Sequence, residues 1–399
     1  MGVSKRERRA RGTGRQTSEA VTIVSVSRHD DDEEQQQRVN VCDKRHAQDT
    51  VRRERGCGGI WSVRRASLMA ACLSEQERGM LRAMLRAHTC GELVAGQKPI
   101  TIPADATVAE ACDILARNGI LSALLEHPEG SGLTGFAGYF SYRSLLYWFL
   151  KRHPAYSDEG GSSEMPHSAM DLREVIAQAG ASDTKAVDYC AERGKESKVL
   201  LPSDSLGKAV LLFGEGLHRC SVVENDCVLG TLSQSLTLRF IANHSAEVRP
   251  ALLHTLAEFG LGESRAIVLE QRKNVIEGMH IMQKNKLSAL AVVDQNGRLV
   301  GNLSLSDIKY IFRTRSYSML WYTAQNFIKI LRERAALEEN AGMDTFPFFD
   351  ISRERTLEIA IQKMIATRVH HLWVVDTAGV PIGVVSITDI MRVLSVDIE

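Results

Sequence analysis

One pattern that comes back four times limits most strongly what this chain can fold into. Its clearest copy occupies residues 356–395. Apolar residues at Leu357, Ile361, Met364 and Ile365 mark one buried face of a helix. Two short apolar runs follow, at 372–375 and 382–385, joined by a polar turn at 376–381, as in a hairpin. Ser386, Thr388 and Asp389 then open a second apolar-periodic helix through Ile390, Val393 and Leu394. A unit of helix, strand, strand and helix this small cannot bury two faces alone, so it predicts partners of its own kind.

Those partners are in the same chain. The first copy has Val108, Ala111, Cys112 and Leu115 on a helix face, strand-like segments at 122–125 and 135–140, and a helix start near Tyr142. The second carries Leu206, Ala209, Val210 and Phe213, then HRCSVVE at 218–224 and CVLGTLSQ at 227–234. The third has Val275, Met279 and Met282 before a hairpin pattern at 287–311. VVE at 222–224 and VVD at 292–294 and 374–376 fall at one place in their units, as do Gly138, Gly230, Gly301 and Gly383. A polar, turn-rich insertion at 153–197 and a helical link at 316–340 group the units as one–two and three–four. The expected divisions are an arm at 1–66, a first unit with a preceding amphipathic helix from Ser67 at 67–152, the insertion at 153–197, and further units at 198–245, 246–315 and 316–399.

Composition narrows the classes. The formal net charge of zero, with 44% hydrophobic and 25% charged residues, is that of an ordinary globular chain. The longest apolar run, at 145–150, is far short of the ~20 residues that cross a bilayer, so no membrane partner is expected. Eight cysteines are scattered without a C-x-x-C pair, which argues against a disulfide or zinc framework and for a reducing, intracellular compartment. No metal ligands, catalytic triad, P-loop or Cys-His pair stand out, so an enzyme is not expected. Residues 1–66, rich in Arg, Gln, Asp and Glu, offer too few apolar clusters to offset their ordering entropy, and a solvated tail is expected. Such an Arg-rich arm can serve nucleic-acid binding or nuclear import, but the tail is the plainer reading.

The third and fourth units share the run Gly301-Asn-Leu-Ser304-Leu-Ser-Asp307 and Gly383-Val-Val-Ser386-Ile-Thr-Asp389. In this the chain resembles CBS-domain proteins, whose small βαββα modules pair into Bateman modules. The resemblance covers roughly residues 68–399 and implies an α+β fold of four CBS domains in two Bateman modules, packed head to head in a disc. Four units without a channel or catalytic domain look like the gamma subunit of AMP-activated protein kinase. The run FPFFDIS at 346–352, followed by ATRVHHLWVV, looks closer to fungal tetra-CBS regulators of phosphatase activity and stress response. The resemblance implies an adenine nucleotide (AMP, ADP or ATP) as regulatory ligand and a cytoplasmic or nuclear protein. The implied partners are protein kinase catalytic and scaffold subunits or, alternatively, a phosphatase catalytic subunit.

The chemistry of such a ligand points to residues. A carboxylate accepts from both ribose hydroxyls, a role suited to Asp307 and Asp389 at helix starts. Ser304, Ser386 and Thr388 add hydroxyls where helix N-termini favour anions. His370, His371 and Lys286 can face phosphate, and Val384 and Ile387 can wall the base. His218 and Arg219 resemble the family's phosphate-facing basic positions. Each has a plainer reading: an Asp in a first helical turn often only caps the helix, and two histidines can be a surface pair. Ser144 and Leu236 stand where the first and second units would carry their Asp, and no base lies near Ile120 and Leu121. The carboxy-terminal pair is therefore the expected nucleotide site.

Overall fold

The computed structural model describes residues 71–127, 136–145, 150, 186, 198–225, 227–314, 316–337 and 348–395. The arm at 1–66 lies outside them. Two leader helices come first, α1 (Glu75–Ala87) and α2 (Cys90–Val94). The sequence pattern starts a helix at Ser67, whereas α1 starts at Glu75. Ser74 and Glu77 close a capping box there, satisfying amide groups that a continuing helix would have bonded itself.

The first repeat holds β1 (Thr101–Ile102), α3 (Val108–Arg117), β2 (Ser122–Glu126) and β3 (Phe136–Ser141). The second holds β4 (Val199–Leu200), α4 (Leu206–Gly214), β5 (Arg219–Glu224), β6 (Cys227–Ser233) and α5 (Gln234–Asn243), and α6 (Ser245–Leu252) follows it. The third holds β7 (Val268–Glu270), α7 (Val275–Asn285), β8 (Ala289–Val293), β9 (Leu299–Ser304) and α8 (Leu305–Thr314). A 3₁₀ turn (Tyr317–Trp321) and α9 (Ala324–Leu337) lead on to the fourth: α10 (Leu357–Thr367), β10 (His371–Val375), β11 (Pro381–Ser386) and α11 (Ile387–Leu394). In each of the first three repeats a short strand pairs parallel with the antiparallel hairpin. In the fourth a single parallel bridge, Asp350 with Trp373, takes that place.

The four hairpins share one register. Gly138 lies opposite Leu125, Gly230 opposite Val222, Gly301 opposite Val292 and Gly383 opposite Val374. A register shift follows each of these pairs at once. Because strand side chains alternate faces, a common register and a common bulge put equivalent residues on equivalent faces in all four units. The serine that ends each second strand then faces Ser122, Arg219, Ala289 or His371.

Pairing of the repeats is written into the backbone. The segment ahead of each unit crosses over and docks on the helix start of its partner. Before the first repeat, the Cys90 amide donates to the Asp204 carbonyl and the Gly91 amide to the Pro202 carbonyl of the second. Ala186, ahead of the second repeat, donates in turn to Ala106 of the first. Leu256 and Ala257 donate to Arg355 and Arg353 ahead of α10, and Ala324 donates to Lys273 ahead of α7. These exchanges tie one to two and three to four, the grouping that linker length implies.

Helices join the pairs to each other. α4 and α5 pack on α10 and α11, which links repeats two and four around Val210, Phe213, Ile361 and Ile390. α3 packs on α8, so repeats one and three share a core with Leu115, Met279, Ile311 and Phe327. Each fully buried Phe or Leu contributes about 1.5–3 kcal/mol. The leader helix α1 does not cover the first repeat, which it precedes. Its apolar stripe, Leu81, Met84 and Leu85, enters the core of repeats two and four, against α4 and α6. A third cluster, Ala266, Ala291, Leu299 and Trp373, seals the seam between the sheets of repeats three and four.

Candidate functional site

Each second strand ends on a serine that caps the next helix. Ser386 Oγ donates to Asp389 Oδ2 at 2.7 Å and accepts from the Asp389 amide at 3.2 Å, a full capping box. Ser304 Oγ and the Ser304 amide donate to Asp307 Oδ2, both at 2.7 Å. Both aspartates are thus helix caps, whatever else they do. The second oxygen of Asp389 accepts from Arg392 Nη1 at 2.9 Å. Ser144 stands in the same place in the first repeat, its Oγ 2.7 Å from Ser141 Oγ. In the second, the Leu236 amide donates to Ser233 Oγ at 3.3 Å, and Leu236 has no carboxylate to return the bond.

Opposite these caps the basic residues gather. His218 is exposed, yet its Nε2 lies 3.2 Å from Arg143 Nη1 and its Nδ1 lies 3.3 Å from Gln234 Oε1. Desolvation and then the Arg143 charge push its pKa down to about 4, and Arg219 and His370 add to the effect. His370 of the fourth repeat is pushed down by desolvation, then by Arg219 and by Lys309 of α8. Arg219, which donates to Ser122 Oγ across the first pair, is itself lowered by burial but stays charged. Arg143, Arg219 and Lys309 therefore form one positive field, which holds the His218 and His370 rings beside it in the neutral form near pH 7, so that every repeat contributes a residue. Such a positive field beside exposed rings favours an anion.

Other expected residues are placed differently. His371 is half-buried, its Nε2 2.8 Å from Asn302 Oδ1, and the Trp373 indole donates to the same oxygen at 3.2 Å. Burial, with the His370 charge second, pushes its pKa down to about 4, so it belongs to the seam between repeats three and four. Lys286 is exposed at the left-handed C-cap of α7, three residues before Ala289, the counterpart of His371. Register puts Ser288, not Lys286, in the place of His370. Thr388 Oγ1 accepts from Gln234 Nε2 at 2.9 Å, a contact between repeats two and four. Ile387 is buried in that core and cannot wall a ligand, whereas Val384 is half-buried. A cleft of about 380 Å³, lined by Arg265, Val268, Val293, Pro381 and Ile382, opens at the turn ends of the third and fourth hairpins, away from the helix starts.

Arg143, Lys309 and Gln234 are additions from the structure. Arg143 was visible as the second residue after Ser141, the position of Thr388 after Ser386, so a repeat alignment would have offered it. Nothing in the local pattern singles out Lys309 or Gln234.

The histidines predict a pH dependence. Their folded pKa of about 4 lies below the usual value of 6.5 that the unfolded chain regains. Between those values the unfolded chain binds more protons, so the stabilisation present above pH ~6.5 is lost progressively as pH falls towards ~4. Melting temperature should fall over that window, and His218→Asn or His371→Asn should remove part of the slope. Parallel curves for all three proteins would contradict the assignment.

Residues 91–151, 264–313 and 343–396 match the CBS domain family model, so the chain contains CBS domains in those segments. The second repeat lies outside those matches but has the same hairpin register and bulge. Among curated proteins the chain is similar to Protein SDS23 of Yarrowia lipolytica, 27% identical over 343 residues, which are 76% of this chain and 65% of that protein. It is also similar to Protein sds23 of Aspergillus niger, 34% identical over 303 residues, 73% and 57% of the two. The chain thus spans well under the full length of these relatives. Its fold resembles that of protein MJ1225 of Methanocaldococcus jannaschii, proposed as an archaeal homologue of g-AMPK. The TM-score is 0.57 at 12% identity, over 76% of this chain and 99% of that one. Among the described residues, no helix is long and apolar enough to cross a membrane.

Proposed function

We propose that this CBS-domain chain is a regulatory subunit, without chemistry of its own, that senses an adenine nucleotide and controls a protein kinase of energy signalling. The observation that carries the reading is the convergence of Arg143, His218, Arg219, Lys309 and His370, drawn from four repeats. A phosphate-bearing ligand at that junction touches every repeat, so its binding alters how the two pairs sit together, and a partner can read that change. Asp307 and Asp389 supply ribose acceptors, and Ser304 and Ser386 complete the helix starts. Thermal shift with AMP, ADP, ATP, adenosine and S-adenosyl compounds tests the ligand class. Larger stabilisation by the phosphate-bearing members than by adenosine is expected, and no shift with any of them would refute the proposal.

The aspartates give a sharper test. A hydrogen bond to a charged group contributes about 1.5–3 kcal/mol, so losing the ribose acceptor weakens binding roughly ten- to a hundredfold. Asp307→Ala and Asp389→Ala are each expected to do this by calorimetry with AMP. Each also loses a cap worth ~1 kcal/mol, which Asp→Asn largely restores without the charge. If the Asn variants bind AMP like the wild type, both carboxylates serve as caps alone.

A second reading has its own support. Asp389 already engages Ser386 and Arg392, and Thr388 engages Gln234, as expected of a site whose ligand role is vestigial. On this reading the chain regulates a protein phosphatase or another signalling enzyme by contact. Purification with native partners separates the two: kinase catalytic and scaffold subunits support the first, a phosphatase catalytic subunit the second.

A further inference from the structure

Away from the junction, where the leader helices meet the end of the second repeat, three potential ligands converge. His88 follows α1 and caps its end, and His244 sits at the bend that separates α5 from α6. Glu247 lies one turn into α6 and is exposed. Each offers one ligand atom, and the three atoms lie within 4.8 Å of one another. The His88 and His244 rings have centroids 4.9 Å apart, and both lie against Phe240, at 4.8 and 4.1 Å.

The hydrogen bonds of the two rings complete the picture. His244 Nδ1 lies 2.9 Å from the Phe240 carbonyl oxygen, which can only accept, so the proton is on Nδ1 and Nε2 carries the lone pair. His88 Nδ1 lies 3.0 Å from Glu92 Oε2. Glu92 also closes the Thr89 capping box. Both imidazoles therefore present Nε2, with Nδ1–H anchored to an oxygen acceptor. That is the arrangement which orients a metal-bound histidine and raises its basicity. Two imidazoles and one carboxylate, with a position left for water, suit zinc at bond lengths of about 2.0–2.2 Å. Ligand atoms around such an ion lie roughly 3.3 Å apart, so a set within 4.8 Å closes by small side-chain rotations.

We propose that His88, His244 and Glu247 bind a zinc ion that clips the leader helices to the second repeat. The site is separate from the nucleotide reading and stands or falls without it. His88 already holds this junction by backbone, since its carbonyl accepts from the Leu206 amide. An ion there would lock the seating of α1 in the core of repeats two and four.

The full chain, stripped with chelator and titrated with Zn²⁺ by calorimetry, should take up one ion through this set and melt at a higher temperature when loaded. His244→Ala should abolish that uptake. Glu247→Gln, at an exposed position that leaves the fold intact, should weaken it at least about tenfold, as should Glu92→Gln through the lost second bond. Melting of each metal-free variant checks that its fold is unchanged. Co²⁺ loading should give a nitrogen–oxygen spectrum without thiolate charge transfer. Uptake equal in wild type and Glu247→Gln, thiolate bands with Co²⁺, or no uptake by the wild type would each overturn the proposal.

Discussion

Gly383→Ala is expected to destabilise this protein by about 3 kcal/mol or more. Gly383 is the glycine of the fourth hairpin, opposite Val374, and a methyl group there runs into the carbonyl oxygen of Gly262. That obstacle is backbone, not the end of a flexible side chain. It belongs to the segment that crosses from ahead of the third repeat to dock on the fourth. Gly262 is constrained in its turn: its φ of +77° is left-handed, and a Cβ there would lie 2.7 Å from Val374 Cγ2. Neither side can yield without undocking the crossover. Overpacking in a tight site costs typically 1–3 kcal/mol, and with immovable backbone on one side about 3 kcal/mol or more is expected. Against a total of about 5–15 kcal/mol this is a large share. Gly79→Ala in α1, where an added methyl meets nothing within 4 Å, should stabilise by about 0.5–1 kcal/mol. Chemical denaturation of the full chain measures both. A Gly383→Ala protein that unfolds like the wild type would mean that the crossover does not lie on this hairpin.

The other large effect concerns the junction of the four repeats. Replacing Arg219 and His370 together with alanine is expected to weaken AMP binding at least about a hundredfold, since two charge-assisted contacts are lost even if they do not add fully. Adenosine, which has no phosphate, should change less than about threefold. His370 is exposed and lies in the field of Arg219 and Lys309, whereas His371 is engaged by Asn302. His371→Ala should therefore lower stability more than affinity. Arg219 also holds Ser122 of the first repeat, so unliganded melting must be followed alongside. Arg219→Lys separates the two roles, because it keeps the charge and loses the planar fork. Calorimetry with AMP and adenosine decides the matter. Equal losses for both ligands would assign these side chains to the fold, and no loss would leave the positive field without a phosphate.

Much of the architecture was legible in the sequence because it rests on short-range chemistry. Helix faces, the VVE and VVD strand ends, the glycine in each second strand and the serine caps are each set within a few residues. Repetition multiplied the signal, so a hairpin register readable once was readable four times. The CBS resemblance rested on the same local runs, Gly301–Asp307 and Gly383–Asp389. Tertiary structure alone decided how these units meet. It carried α1 past the first repeat into the core of the second and fourth, and brought Gln234 to Thr388 across 154 positions. It gathered Arg143, Lys309 and His370 at one junction, and set His88 beside His244 and Glu247, whose sequence spacing carries no metal signature. The physical reason is the same in each case. Periodicity and capping tell which face of an element is apolar or charged, but which other face it meets depends on the packing of all the elements together.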